Sequence, residues 1–172
     1  SGASEVRPTG LQWDAVDGNT AVRTEFAPNF GTEDAANGLE ITPQPASFGW
    51  GLVRQSPTAA TDNLSNYAAS GALNFWVSTT YPGKIEIGIS TDTQDREPQE
   101  AVLQLQPGNY GYCNTGAWCQ VSIPLQDFIA KNPKLDLSLV LTRFLISDVY
   151  SRTGNAPGNT TKVYLDGIHW SK

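Results

Sequence analysis

The chain has 172 residues, enough for one domain with a proper core, since chains of this length bury roughly 70% of the surface they expose when unfolded. Eleven basic residues against seventeen acidic ones give a formal charge of −6, which repels a phosphate backbone or an anionic membrane and argues against both as partners. Sixteen Gly and eleven Pro among short apolar runs point to β-structure, and no run approaches the roughly 20 apolar residues of a membrane helix.

Taken in chain order, the first strands are predicted at GLEIT (38–42) and SFGWGLVRQ (47–55). In ALNFWVS (72–78), Leu73, Phe75 and Val77 share one face while Asn74, Trp76 and Ser78 share the other, the period of a half-buried strand. KIEIGIS (84–90) repeats the pattern, with Ile85, Ile87 and Ile89 against Lys84, Glu86, Gly88 and Ser90, and TYPG (80–83) between them predicts a hairpin. AVLQL (101–105) follows, then WCQVSIPL (118–125), where Cys119, Val121 and Ile123 oppose Trp118, Gln120 and Ser122. LQDFIAKNP (125–133) reads as a short helix, and LVLTRFLIS (139–147) and KVYLDGIHW (162–170) close the series of strands. About eight short strands with turn signals every ten to twelve residues predict an all-β fold over residues 1–172, an antiparallel two-sheet β-sandwich of jelly-roll type.

If the strands at 72–78, 84–90 and 118–124 are neighbours, their outward face carries Asn74, Trp76, Lys84, Glu86, Trp118 and Gln120. Indole rings among amide and charged groups suit a sugar, whose apolar ring faces stack while its hydroxyls hydrogen-bond. Trp76 and Trp118 are therefore the expected stacking platforms, with Tyr81, Tyr112, Glu86, Gln120 and Arg152 as further contacts. Trp13, Phe26, Phe30, Phe48, Phe75, Phe128, Phe144 and Trp170 are assigned to the core, and Trp50, between two glycines, fits either place.

The only cysteines, Cys113 and Cys119, bracket five residues, and the chain has a single histidine, His169. That spacing excludes a CxxC redox motif and the absence of partner ligands excludes zinc. Facing each other across NTG, the two are compatible with a cross-strand disulfide, which would imply an oxidising compartment; two reduced, partly buried thiols are the alternative. His169 is expected to be structural rather than part of a nucleophilic triad. Glu40 and Glu86 are the only pair considered for a small β-sandwich glycosidase, but KIEIGIS lacks the other acids of the E-x-D-x-x-E strand of jelly-roll β-1,3-glucanases, with Gly88 in place of the aspartate. Acidic turns at WDAVDGN (Asp14, Asp17), GTEDAANG (Glu33, Asp34) and LDG (Asp166) offer oxygen ligands for calcium or are simply solvated carboxylates.

KVYLDGIHWSK resembles the last strand of jelly-roll carbohydrate-binding modules of the galactose-binding-like type. GTEDAANGLEIT, ALNFWVS and WCQVSIPLQDF look like the domain appended to marine bacterial family-3 β-glucosidases and other secreted polysaccharide hydrolases. The resemblance implies a non-catalytic polysaccharide-binding module joined to a glycoside hydrolase, often one acting on β-glucans such as β-1,3-glucan. It implies a structural Ca²⁺ with Asp166 in the place of the metal ligand of calcium-binding members, and a secreted, extracellular or periplasmic location; the N-terminal ligand is not carried over by the resemblance, and Asp14 and Asp34 are the candidates for it. The opening SGASEV, with neither a charged segment nor an apolar one, fits a mature or excised piece of a longer protein. A structural domain packing on its parent enzyme through the same aromatic face is the other reading.

Overall fold

The computed structural model describes residues 5–6, 12–15, 21–26, 38–44, 47–95 and 97–172, with side chains from Leu39 onward. Its strands are β1 (Glu5–Val6), β2 (Gln12–Ala15), β3 (Ala21–Phe26), β4 (Gly38–Pro43), β5 (Gly49–Gln55), β6 (Ala72–Thr79), β7 (Ile85–Thr91), β8 (Gln99–Leu105), β9 (Trp118–Pro124), β10 (Val140–Val149) and β11 (Val163–Ser171). Helix α1 (Leu125–Lys131) follows β9, and a single turn, α2 (Tyr150–Thr153), follows β10. The first sheet runs β3-β4-β11-β6-β9, with β1 also pairing β11, and the second runs β2-β5-β10-β7-β8. Every recorded pairing is antiparallel.

Alternation places the core. Leu73, Phe75 and Val77 of β6, Ile85, Ile87 and Ile89 of β7, and Val121 and Ile123 of β9 are all buried in one cluster. Phe75 and Phe144, one from each sheet, meet edge to face at 5.2 Å between ring centroids. Trp170 packs edge-on against Tyr67 at 6.3 Å and donates its indole N–H to the carbonyl of Arg143 at 2.9 Å, joining β11 to β10.

The hairpin expected from residues 72–90 does not form: β6 and β7 lie in different sheets. Each has one wholly apolar face, and such faces are satisfied equally by pairing side by side or by facing each other. Sheets pack about 10 Å apart, a gap that the few residues of the TYPG connection can span at about 3.3 Å each. The connection is anchored inward instead of turning in solvent. Tyr81 is fully buried; it receives a hydrogen bond from Trp50 Nε1 at 2.9 Å and donates its own to Asp148 Oδ2 at 2.6 Å. Burial and the neighbouring Asp148 carboxylate both push its phenol well above the ordinary tyrosine range. Buried Asp148 also accepts from Thr153 Oγ1 at 2.5 Å and from Asn155 Nδ2 at 2.9 Å, so a carboxylate taken out of water is satisfied by neutral donors.

Cys113 and Cys119 form a disulfide, with Cα atoms 6.0 Å apart. The segment before it is turned back on itself at Gly111, where φ is +89° and an added Cβ would stand 2.3 Å from the Gln120 carbonyl oxygen. This folds Tyr112 into the core, where it is 1% exposed and burial raises its phenol to about 12.

Two substitutions probe these devices. At Gly49, φ is +127° and an added Cβ would meet the Asp148 carbonyl oxygen at 1.8 Å. Gly49→Ala should therefore cost at least about 3 kcal/mol, read as a lowered urea midpoint. Tyr81→Phe strands the indole N–H of Trp50 and one acceptor of Asp148 and should cost about 2 kcal/mol at an unchanged denaturant slope.

Candidate functional site

The outward residues fall on two opposite surfaces. On the first sheet, β6 and β9 pair so that Trp76 faces Gln120 and Ser78 faces Trp118, while on its other side β6 sets Trp76 against Asp166 and Ser78 against Tyr164. Trp76 and Trp118 are thus diagonal neighbours, both half-buried, beside exposed Gln120. A β-bulge at Gly167 lies under Trp76, whose Cδ1 would be 3.3 Å from a Cβ added there.

The second sheet presents rows across its strands. Glu86 stands between Ser147 and Gln104, Gly88 between Leu145 and Val102, and Ser90 between Thr142 and Glu100. Gly51, Val53 and Gln55 of β5 continue these rows. The middle row is apolar and the rows beside it polar; Leu145, Ser147, Thr142 and Glu86 are buried, so what this face offers a sugar is the C–H surface of Val53 and Val102 and the polar groups of Gln55, Ser90, Glu100 and Gln104. At the β7–β8 side a cleft of about 420 Å³ opens, lined by Glu86, Glu100, Val102, Gln104, Lys131, Asn132 and Arg152.

Arg152 is set by Glu86. Its Nε donates to Glu86 Oε1 at 2.7 Å and its Nη2 to Oε2 at 3.0 Å. The carboxylate, 0% exposed, also accepts from Ser147 Oγ at 2.9 Å and from the Val149 amide at 3.0 Å. The Arg152 side chain remains 44% exposed, so N–H groups beyond the two that meet Glu86 are accessible to a ligand. The hydrogen bond to Glu86 raises the guanidinium further above its ordinary range. Gln104 Nε2 holds the Arg152 carbonyl at 2.6 Å, and Asn132 Nδ2 holds that of Glu100 at 3.0 Å.

The residues proposed from sequence are thus divided. Trp76, Trp118 and Gln120 share a face; Glu86 and Arg152 share another; Tyr81 and Tyr112 are in the core and present no ring to a ligand. Asp148, four positions before Arg152, binds Tyr81, Thr153 and Asn155. Glu40 pairs with Lys162 Nζ at 2.9 Å on β4 of the first sheet, and Glu86 belongs to the second, so the two acids face away from each other. Glycosidase carboxylates must flank one bond, about 5–9 Å apart, which this arrangement forbids.

Asp166 is buried and accepts the Gly167 amide at 2.7 Å, closing its own bulge. Asp14 lies within β2 of the second sheet rather than in a turn, while Asp166 is on β11 of the first; Asp34 is outside the described residues. Among the described residues no three acidic, histidine or cysteine side chains gather as a metal site requires. Glu100, Val102 and Gln104 were not singled out from the sequence; their alternation along Gln99–Leu105 is the signal that could have found them. Lys131 and Asn132, at the end of α1, carry no such signal.

A search among curated proteins finds no significant match. Among solved structures, a family 30 carbohydrate-binding module superposes with a TM-score of 0.70 at 21% identity, covering 98% of this chain and 99% of that one. The family 30 module of the cellulosomal cellulase Cel9D-Cel44B of Clostridium thermocellum gives 0.67 at 20%, covering 95% and 91%. A family 11 module from Clostridium thermocellum, in complex with a β-1,3-1,4-mixed-linked tetrasaccharide, gives 0.64 at 15%, covering 99% and 97%. These likenesses establish the jelly-roll fold. Residues 10–172 match the family model described as Carbohydrate binding domain 30, so the chain belongs to that family and is a carbohydrate-binding module, not a catalytic domain.

Proposed function

We propose that the module binds a β-glucan chain over the outer face of the second sheet and holds a linked glycoside hydrolase near that polymer. The carrying observation is the Arg152 guanidinium, fixed side-on by the buried Glu86 carboxylate in a cleft that also holds the Val102 side chain and an amide at Gln104. Preset donors bind sugar hydroxyls without the entropy cost of ordering a long side chain. The mixed-linked tetrasaccharide bound by the family 11 module supports the choice of glycan, and the cellulase that carries one family 30 module supports the tethered hydrolase. Tethering raises the effective concentration of enzyme at its substrate and requires no chemistry from the module itself. The Cys113–Cys119 disulfide supports a secreted location.

A second reading places the glycan on Trp76 and Trp118, because these rings are diagonal neighbours on one outward face beside Gln120. Electrophoresis through gels containing mixed-linkage β-glucan, laminarin, xylan or agarose separates the two. Retardation in the mixed-linkage gel should be lost in Arg152→Ala, with affinity falling about tenfold or more, and kept in Trp76→Ala and Trp118→Ala. The reverse pattern moves the site to the first sheet, and unchanged mobility of the wild-type module in all gels removes the β-glucan reading. Glu86→Ala unpairs Arg152 and empties a buried site, and should cost about 3 kcal/mol of stability, measured by urea denaturation, together with the loss of retardation.

A further inference from the structure

A second cleft, of about 440 Å³, lies where the β6–β7 and β10–β11 connections cross between the sheets; Pro82, Gly83, Asn155, Ala156, Pro157 and Asn159 are among its walls. We propose that it continues the glycan path, taking neutral sugar rings beyond those seated beside Arg152; this rests on placing the glycan in the Arg152 cleft.

Continuity comes from the chain itself. Arg152 lines the first cleft and Gly154 and Asn155 the second. The ridge between them is hydrogen-bonded: Lys84 Nζ donates to Gln104 Oε1 at 3.3 Å, and Gln104 Nε2 to the Arg152 carbonyl at 2.6 Å. The second cleft is also preformed. Asn155 Nδ2 donates to the Lys84 carbonyl at 2.7 Å and Asn155 Oδ1 accepts the Lys84 amide at 3.1 Å, which pins one connection to the other. Gly83 permits this approach, since an added Cβ would stand 2.2 Å from Asn155 Oδ1. Tyr150 Oη accepts the Gly158 amide at 3.0 Å and steadies the far wall.

Lining chemistry selects the occupant. Among the described residues no charged side chain borders the second cleft, so none of them answers a uronate, a sulfate or a phosphate there. Pro82, Ala156 and Pro157 offer C–H surface to a pyranose face. Asn159 Oδ1 accepts the Thr161 amide at 2.9 Å, which orients its amide group and leaves the NH₂ to donate to a hydroxyl. Each cleft lies within the roughly 300–1,000 Å³ typical of ligand sites, so together they take a longer chain than either alone.

Isothermal titration of the whole module with cellotriose and cellohexaose tests this. The wild-type protein should bind the hexasaccharide about tenfold tighter, the equivalent of one or two further satisfied hydrogen bonds. Ala156→Trp, which fills the second cleft, should collapse the ratio of hexasaccharide to trisaccharide affinity toward one, and Asn159→Ala should reduce it in the same direction, independently of any folding defect in the first variant. A wild-type ratio in both variants, or no advantage for the hexasaccharide in the wild-type protein, overturns the continuation. Arg152→Ala separates the two failures: unchanged affinity for both sugars in that variant overturns the path over Arg152 itself.

Discussion

Two carboxylates buried a short way apart at the β7–β10 end of the second sheet set the terms for the rest of the molecule. Removing a carboxylate from water costs several kcal/mol unless its oxygens are met by donors. Glu86 and Asp148 are both shut off from solvent, and each is answered largely by the turn that leaves β10. Glu86 takes Arg152, Ser147 and the Val149 amide, while Asp148 takes Thr153, Asn155 and, from the other connection, Tyr81. The turn is held from two sides at once, and both clefts are walled by it.

The solutions differ in kind. Glu86 is neutralised by a cation that stays partly in solvent, so the pair exposes positive charge and planar donors. Asp148 is met by hydroxyl and amide groups and exposes nothing. The first arrangement presents chemistry to a ligand, and the second fixes the position from which it is presented.

Much of the fold was legible in the sequence, and the reasons are local. Strict alternation in 72–78, 84–90 and 118–124 marked strands and core faces correctly, because side-chain direction in a strand has period two whatever the strand pairs with. The same property hid the sheet assignment of β6 and β7, since alternation does not say which neighbour a strand has. Tyr81 and Tyr112 read as loop aromatics and turned out to be core, for reasons that lie elsewhere in the chain. Tyr81 is drawn in by Trp50 and Asp148, and Tyr112 is folded under by the backbone at Gly111. Glu86 was visible as an outward strand residue, but its partner Arg152 is 66 positions away, and no spacing rule links them. β1 and β2, of two and four residues, are too short for a pattern to register, whereas β3 alternates Val22 and Phe26 with Arg23 and Glu25 in sequence and was simply not singled out.

The place of β11 in the first sheet has a consequence for how the molecule is made. It lies between β4 and β6, yet every other strand of that sheet precedes it in the chain. Until it is added, the sheet is two separate pieces with unpaired edges and a core lacking Val163, Leu165 and Trp170. Assembly therefore waits on contacts distant in sequence, which slows folding relative to a fold built from local hairpins. A chain emerging from a ribosome therefore leaves this sheet unlocked until β11 follows the strands it joins, and the two halves of the sheet close in a single late step.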